Sequence, residues 1–356
     1  MEAIRLPFQV LMLKNISSSV LLCIAVLNAL LFGCWTKHQQ PNSALNKHQL
    51  FGNAQGTTYT ITYYHPTSVI TKTAVDSLFE VIDKSMSLYR ADSKISQFNQ
   101  SDVKALDVDL HMSKVMKKSF EVYRASAGRF DVTVKPLVAL WGFGPNGATD
   151  LPDSLTIQRA LSQVGMDKLS LRGRQLQKKV EGVQVDLNGV AQGYTVDVMY
   201  DYLRAQEIES FIVEIGGEIR AYGRKPDGQS YKVLVQRPEE MGDVEDFIVE
   251  LDDRSITTSG SYEQFREVEG YRFSHHMDPR TGRPLISKTI SVTVIAAEAI
   301  DADAYDNVFM AMDPEEAIAF ANSQNKIDIY LMYLDQGQVK EVYSDGFSRY
   351  ILTHSN

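Results

Sequence analysis

The stretch FIVEIGGEIRAYGRKPDGQSYKVLVQ, residues 211–236, alternates runs of β-branched and aromatic residues with glycine-containing breaks. Such runs favour strands, and Gly-Gly or Pro-Asp-Gly between them favours tight turns. The strands and turns that the stretch predicts are, in order, 211–215, Gly216-Gly217, 218–222, Pro226-Asp227-Gly228 and 232–236. Strands joined by short turns are typical of antiparallel sheets, because parallel strands need a long crossover between them.

On either side of this stretch, predicted helices and further strands are mixed. Apolar residues at helical spacing predict helices over 71–88, 113–123 with Ser113 as the N-cap, 154–164, 190–205, 299–312 and 314–323. Further strands are predicted at 58–64, 290–296, from Ile327 onward, and at 183–187, where a short buried strand runs straight into a helix. No G-x-G-x-x-G follows a first strand, so a Rossmann site is not supported. The pattern predicts an α+β fold, mostly antiparallel sheets with flanking helices, rather than a doubly wound sheet.

The composition excludes several classes of protein. The chain has 356 residues, 44% of them hydrophobic and 23% charged, enough for one sizeable domain or two small ones. The net charge is −9 and no block of basic residues occurs, so nucleic acid is not expected as a partner. Cys23 and Cys34 both lie in the N-terminal apolar segment, so the rest of the chain contains no disulfide, thiol nucleophile or cysteine metal site.

The first residues have the layout of an export signal. Arg5 and Lys14 precede an apolar run, residues 20–32, which is shorter than the roughly 20 residues that span a bilayer. The run ends in Leu-Phe-Gly-Cys34, which resembles a bacterial lipobox, so we expect Cys34 to be lipidated; a plain secretory signal cleaved nearby is the alternative. The sequence therefore predicts a signal peptide (1–33), the lipidated Cys34 with a polar tether (34–50), and one folded domain (51–356).

Two stretches combine aromatic, glycine and acidic residues. Residues 87–99 contain Ser-Leu-Tyr-Arg and Phe-Asn, which taken alone are more typical of a helix end followed by a polar loop. Residues 128–144 contain Gly-Arg-Phe-Asp and Trp-Gly-Phe-Gly, which suit stacking and hydrogen bonding to a planar ring system. A helix cap and a core tryptophan would explain the second stretch equally well.

Two further stretches place polar groups where ions could bind. Residues 185–194, VDLNGVAQGY, form a predicted strand-to-helix junction, whose free backbone N–H groups would attract phosphate. Residues 275–282, HHMDPRTG, are followed by Asp303 and Asn307, which share one face of a predicted helix and carry oxygens that suit Mg²⁺. A solvated helix face is the commoner explanation for such a pair, and Asp-Pro followed by Thr-Gly favours a tight turn.

Taken together and in order, these stretches resemble the ApbE family of FAD:protein FMN transferases from about Gly56 to about Met312. The motifs that carry the resemblance are G-T-x-Y from Gly56, S-x-Y-x-x-x-S-x-I-x-x-F-N from Ser87, G-x-F-D-x-T-V-x-P-L-x-x-x-W-G-F from Gly128, D-L-x-G-V-A-x-G-Y-x-V-D from Asp186, G-G-E-I from Gly216, I-T-T-S-G-x-Y from Ile256, H-x-x-D-P-x-T-G from His275 and A-D-A from Ala302. Their shared order outweighs the simpler explanation of each motif alone. The resemblance implies a single ApbE-like, T-fold-like domain.

The resemblance also implies a set of site residues. The FAD site would be formed by Gln55, Tyr89, Arg129, Phe130, Asp131, Asn188, Tyr194 and Met277. Mg²⁺ would be held by the backbone carbonyl of Ala191 and the side chains of Asp303 and Asn307, and His275 occupies the place of the family's catalytic histidine. The sequence departs from the family pattern at Gln55, where Met is common, at His276, where an aliphatic residue is usual, and at Asn307, where Thr is usual.

The activity implied is Mg²⁺-dependent transfer of FMN from FAD to a Thr or Ser hydroxyl of an acceptor protein through a phosphoester bond, with release of AMP. His275 would accept the hydroxyl proton, since an imidazole suits that task near neutral pH. The acceptor is expected to be a membrane or exported redox subunit, and the enzyme a lipid-anchored protein of the bacterial cell membrane that faces the periplasm or another extracytoplasmic side. An FAD pyrophosphatase that uses water, and a flavin-binding lipoprotein without chemistry, are the alternatives.

Overall fold

An eight-stranded antiparallel sheet forms the centre of the fold. The structure is a computed structural model and describes residues 44–143, 151–236, 246–261, 265–268 and 271–352. In spatial order the strands are β1 (Asn46–Ala54), β2 (Thr57–His65), β6 (Phe211–Ile215), β7 (Glu218–Tyr222), β10 (Ser255–Gly260), β15 (Thr289–Ala296), β16 (Ile327–Asp335) and β17 (Gln338–Tyr343). Each strand pairs antiparallel with its neighbours, so the predicted α+β class is confirmed.

Smaller sheets surround the central one. The remaining strands are β3 (Ala105–Asp107), β4 (Leu169–Arg172) and β5 (Gln175–Lys178) in one sheet, β8 (Tyr231–Val235) with β9 (Phe247–Leu251), β11 (Phe265–Val268) with β12 (Tyr271–Ser274), and β13 (Met277–Asp278) with β14 (Arg283–Pro284). The α-helices are α1 (Lys72–Met86), α2 (Lys94–Phe98), α3 (Leu110–Ala125), α4 (Lys135–Leu140), α5 (Ser154–Leu161), α6 (Ala191–Ala205), α7 (Ala299–Met310) and α8 (Pro314–Ser323).

The sheet buries its apolar residues on both faces, but against different partners. In β2, Tyr59, Ile61 and Tyr63 alternate toward the face that α1 and α6 cover. All eight residues of β15 are buried, because Val292 and Val294 pack against α7 while Ile290 and Ile295 pack against β8 and β9. The central strands thus lie between two layers, and α6 and α7 come together on the same face.

Apart from shifts of one to three residues at the ends of other elements, the structure differs from the predicted elements at four places. Helix α3 begins at Leu110 because Asp109 accepts a hydrogen bond from Met112 N, so Ser113 lies inside the helix and is not its N-cap. Residues 183–187 alternate in burial as a strand would, but they form no ladder: Asn99 binds both backbone groups of Val185 through its side chain. After the Pro-Asp-Gly turn, β8 leaves the central sheet and pairs with β9.

The fourth difference lies near the N-terminus. Residues 46–50, assigned to the polar tether, belong to β1, whose nine residues pair in register with β2. The signal peptide, Cys34 and the tether up to residue 43 lie outside the described residues. Within the ranges that the structure describes, no helix is long and apolar enough to cross a membrane.

Candidate active site

A cavity of about 920 Å³ brings together the residues that the sequence motifs indicate. Eleven of the twelve predicted FAD, metal and catalytic residues line it: Gln55, Tyr89, Arg129, Phe130, Asp131, Asn188, Ala191, His275, Met277, Asp303 and Asn307. They come from the β1–β2 turn, the end of α1, the segment after α3, the start of α6, the β12–β13 connection and α7. Segments far apart in the sequence therefore meet at one site.

Tyr194 is the exception among the twelve. It is absent from the cavity lining, and its ring is 6% exposed in the core beside α3. The Tyr194 hydroxyl lies 2.9 Å from His111 Nδ1, and burial raises the pKa of Tyr194 to about 12. In this structure the Tyr194 side chain packs between α6 and α3, and its contact with FAD stays a prediction.

Gln55 reaches the cavity because of its backbone conformation. Gln55 and Gly56 form the two-residue turn between β1 and β2, with φ of 53° and 79°. A two-residue hairpin turn of the type I′ class requires positive φ at both positions. Gln55 Nε2 donates to Asp83 Oδ1 at 3.3 Å, and burial raises the pKa of Asp83 despite this hydrogen bond. The turn thus adds a polar pair to the wall of the cavity.

The Gly-Arg-Phe-Asp segment also lines the cavity, but its polar groups have protein partners. Gly128, with φ of 81°, ends the turn after α3, and Arg129 Nη2 donates to Glu316 Oε1 at 2.6 Å. Asp131 Oδ1 accepts from Thr133 N at 2.7 Å, and Asp131 Oδ2 accepts from Met166 N at 3.1 Å. Burial raises the pKa of Asp131, and both of its oxygens hold the loop together.

Helices α6 and α7 bind each other through two carboxylates, an arrangement that we call the helix junction (Gly193, Asp197, Ala299, Ile300 and Asp303). Asp303 Oδ2 on α7 accepts from Gly193 N on α6 at 2.7 Å. In return, the Asp197 oxygens on α6 accept from Ala299 N and Ile300 N, both at 2.9 Å, at the start of α7. Each carboxylate thus binds N–H groups that the first turn of a helix leaves without an intrahelical partner.

The helix junction leaves no room for a side chain at Gly193. A Cβ there would overlap the carbonyl oxygen of Ala299 and lie 2.6 Å from Asp303 Cβ. Asp303 is 3% exposed, and burial raises its pKa, as burial also raises the pKa of Asp197 although Arg220 pairs with it. Close packing of the helices therefore places a buried carboxylate on the cavity wall.

The helix junction also bears on the start of α6, where the sequence predicted free backbone N–H groups that could bind phosphate. Ala191 N donates to Leu187 O at 2.8 Å, Gly193 N donates to Asp303, and Tyr194 N donates to Val190 O at 3.3 Å. These amides already have protein acceptors. The start of α6 is therefore occupied by an acid of α7, and a phosphate there would need a cation beside Asp303.

The residues predicted to hold Mg²⁺ suit that ion chemically. Ala191, Asp303 and Asn307 all line the cavity and offer a carbonyl, a carboxylate and an amide, and hard cations prefer oxygen ligands. None of the ion pairs between described residues includes Asp303, so a buried carboxylate lies there with no basic side chain to balance its charge. In the described part of the chain no three His, Cys, Asp or Glu side chains cluster as a metal site, so the set depends on the backbone carbonyl and the amide.

Another part of the cavity lining comes from the residues that we call the histidine segment (Ser274–Met277). His275 and His276 both line the cavity, with ring centroids 4.0 Å apart. His276 is 5% exposed, with Nε2 3.1 Å from Ser259 Oγ and Nδ1 2.9 Å from Ser274 Oγ. Burial lowers the pKa of His276 to about 3, so its ring stays neutral. Strand β12 ends at Ser274 and β13 begins at Met277, so the two histidines lie in the connection between these strands.

The sequence profile of the ApbE family matches residues 55–331, most of the chain and all of the cavity-lining motifs. The chain belongs to the ApbE family. Among its relatives, the FAD:protein FMN transferase of Vibrio cholerae is 36% identical, over 85% of this chain and 92% of that protein. The FAD:protein FMN transferase of Escherichia coli K12 is 30% identical, over 80% of this chain and 83% of that protein.

Solved ApbE structures have the same fold. The flavin transferase ApbE from Vibrio cholerae superposes with a TM-score of 0.79 at 34% identity, covering 86% of this chain and 99% of that chain. The apo flavinyl transferase ApbE from Pseudomonas stutzeri gives the same TM-score at 31% identity, covering 86% and 97%. These likenesses extend beyond the motifs to the whole arrangement of strands and helices.

Several cavity residues of this ApbE-family chain were not identified as site residues from the sequence. They are Asp83, Asp186, Glu218, Ser259, His276 and Asp306. Asp186, Glu218 and Ser259 stand inside motifs that carry the family resemblance, so the motifs themselves could have indicated them. Asp83 and Asp306 have no such signal, since each looks like an ordinary acid on a helix until the tertiary structure turns it toward the cavity.

Proposed function

We propose that this protein transfers FMN from FAD to a Thr or Ser hydroxyl of an acceptor protein and releases AMP. Membership of the ApbE family supports the reaction class. The observation that carries the proposal is the meeting of eleven predicted site residues, from segments spread over residues 55–307, at one cavity of about 920 Å³. A cavity of this size, with both aromatic and charged walls, suits a dinucleotide that carries a flavin ring.

His275 is the proposed proton acceptor. The acceptor hydroxyl oxygen attacks the phosphorus on the FMN side of FAD, the bond from that phosphorus to the bridging oxygen breaks, and AMP leaves with that oxygen. The hydroxyl proton passes to the His275 ring. The neutral ring of His276, held by Ser259 and Ser274, packs against His275 and limits its orientation. A base held in one orientation is poised for proton transfer.

Ala191, Asp303 and Asn307 are the proposed Mg²⁺ ligands. Bound Mg²⁺ would neutralise negative charge on the pyrophosphate during phosphoryl transfer. Asp303 is held by Gly193 N, and Thr195 Oγ1 donates to Ala191 O at 2.8 Å, so two of the three ligand groups are fixed in place before the metal binds. We expect Asp303→Ala to abolish transfer, since it removes the only charge among these three ligands.

The location of the protein is part of the same proposal. A signal peptide with a lipobox-like end at Cys34 supports lipid anchoring at the bacterial cell membrane, on the periplasmic or another extracytoplasmic side. A membrane or exported redox subunit would then be the acceptor. Intact-mass analysis of membrane fractions should give a diacyl or triacyl mass on Cys34. A soluble protein that begins at another residue would contradict the anchor without affecting the chemistry.

One experiment separates transfer from its alternatives. The full-length protein in detergent is incubated with FAD, MgCl₂ and a candidate acceptor, and the products are separated on a denaturing gel. We expect a flavin-fluorescent acceptor band together with AMP, and neither with Asp303→Ala. Free FMN and AMP without a fluorescent band would indicate an FAD pyrophosphatase. Bound FAD that remains intact would indicate a flavin-binding protein without chemistry.

A further inference from the structure

Asp306 is a buried acid that neither the motifs nor the proposed ligand set includes. It lies on α7, three residues after Asp303 and one before Asn307, and all three side chains line the cavity. Asp306 is 4% exposed and Asp303 is 3% exposed. Residues three apart in a helix lie on neighbouring parts of its surface. The cavity wall formed by α7 therefore carries two buried carboxylates.

The side chain of Asn307 is engaged in a different way. Three oxygens surround its Nδ2 atom: Asp306 Oδ1 at 2.7 Å, Asp303 O at 3.0 Å and Gly189 O at 3.3 Å. All three are acceptors, so the NH₂ group and not the amide oxygen must face them, and its two hydrogens suit the two shorter contacts. Asn307 thus connects the loop before α6 to α7 and turns one Asp306 oxygen toward itself. These contacts give Asn307 a structural role whether or not its own oxygen binds a metal.

We propose that the Asp306 carboxylate is a ligand of the Mg²⁺ ion and that Asn307 positions Asp306. The inference rests on the proposed function, because it concerns the metal used there. Two carboxylates balance the double charge of the ion, and a carboxylate binds a hard cation more strongly than a neutral amide does. Asp306 lies between Asp303 and Asn307 in the sequence of α7 and lines the same cavity, where the proposed ion would lie.

The test compares three substitutions in the full-length protein in detergent, titrated with MgCl₂ by calorimetry in the absence of FAD. Asp306→Asn keeps the shape and still accepts a hydrogen bond from Asn307, but it removes the charge. We expect it to raise the Mg²⁺ dissociation constant at least about 10-fold, the size of loss typical of altered metal sites. Asn307→Thr should stay within about 3-fold of the parent, because the threonine hydroxyl can still donate to Asp306 and still offers an oxygen to the ion.

Asp301→Asn is the matched control. Asp301 lies on the same helix, is absent from the cavity lining and pairs with Lys118 at 2.6 Å. This control removes the same charge from outside the cavity lining. If long-range charge is unimportant, it should leave the Mg²⁺ dissociation constant within about 2-fold of the parent. An equal loss in Asp301→Asn and Asp306→Asn would overturn the ligand assignment, as would unchanged affinity in Asp306→Asn or no Mg²⁺ binding by the parent.

The transfer assay distinguishes failure of this inference from failure of the proposed function. If the parent makes a fluorescent acceptor and Asp306→Asn does so equally well at limiting MgCl₂, Asp306 is not a ligand while the function stands. If the parent binds Mg²⁺ through Asp306 but forms no flavin-labelled acceptor, the ligand assignment holds and the transfer is wrong. Urea unfolding of each variant checks that the compared proteins are folded.

Discussion

The helix junction fixes Asp303 with one backbone amide and close helix packing, whereas the histidine segment supports His275 with the side chains of one buried histidine and two serines. At the junction, Gly193 N and Asp303 Oδ2 bind directly between two helices of the core. In the histidine segment, His276 lies between the side chains of Ser259 and Ser274, in the connection between β12 and β13. The Asp303 side of the cavity is therefore part of the helix core, while the histidine side is a local network attached to it.

We expect substitutions at the helix junction and in the histidine segment to differ in how much they lower stability relative to activity. A change at the junction moves helices whose contacts extend through the core, so folding and activity should fall together. A change in the histidine segment affects a few hydrogen bonds at the cavity wall, so activity should fall more than stability. The four predictions below test this difference, beginning with the largest expected effect.

Gly193→Ala should have the largest effect. The added methyl would overlap Ala299 O, and backbone atoms cannot move aside as a flexible side chain can. Overpacking typically costs about 1–3 kcal/mol and occasionally more, and we expect the upper end here. Urea unfolding should show the loss, together with loss of transfer. Gly173→Ala is the control, since it has φ of 61° and nothing within 4 Å; it should cost only about 1 kcal/mol.

His275→Ala should lower transfer at least about 10²-fold, the contribution expected of a general base, while FAD affinity changes only a few-fold. The free energy of unfolding should change by less than about 1 kcal/mol, because His275 lies at the cavity wall. Flavin-fluorescence titration and the gel assay measure the two quantities side by side. His65→Ala, outside the cavity lining, should retain full transfer. Equal losses of FAD binding and transfer would instead give His275 a binding role.

The two regions should also respond to pH in opposite directions. His276 has a folded-state pKa of about 3, below the unfolded value near 6.5, so between these values only the unfolded chain binds the proton. The free energy of unfolding should therefore fall as the pH drops from about 6.5 toward about 3, by up to about 1.4 kcal/mol per pH unit. Asp197 has a folded-state pKa raised to about 6, so its contribution is present in acid and is lost as the pH rises through that value.

Substitution at each site isolates these contributions. Urea unfolding at about pH 5 and about pH 7.5 should show a smaller loss in acid for His276→Leu than for the parent. Asp197→Asn should show the reverse, a smaller loss as the pH rises. His276→Leu should also lower transfer, since Ser259 and Ser274 lose the ring that they hold. Identical pH slopes in parent and His276→Leu would mean that the ring is not buried in solution.

Tyr194→Phe should have the smallest effect. It removes one hydrogen bond to His111, so the free energy of unfolding should fall by about 1 kcal/mol. FAD affinity, measured by flavin-fluorescence titration, should stay within about 2-fold of the parent because Tyr194 lies outside the cavity lining. A 10-fold loss of FAD affinity would place the hydroxyl at the ligand and contradict the structure at this position.

Local sequence patterns predicted the elements well where one segment contains the whole signal. The strands at 211–215 and 218–222 and the helix at 314–323 have the bounds that their patterns predict. Asp303 and Asn307 share a helix face because residues four apart do so in any α-helix. The family resemblance carried by the motifs implied twelve site residues. Most of them line one cavity in the structure.

What the sequence determined by itself is the fold class and most of the elements, because hydrophobic period and turn residues act within short stretches. The segments that form the cavity were implied by the family resemblance. Only the tertiary structure decided which buried polar groups meet. Tyr194 turns to His111, 83 residues away, and Gly193 binds Asp303, 110 residues away. These pairs form because a buried polar group is stable in the folded chain only with a hydrogen-bond partner. No local pattern specifies which distant group will supply that partner.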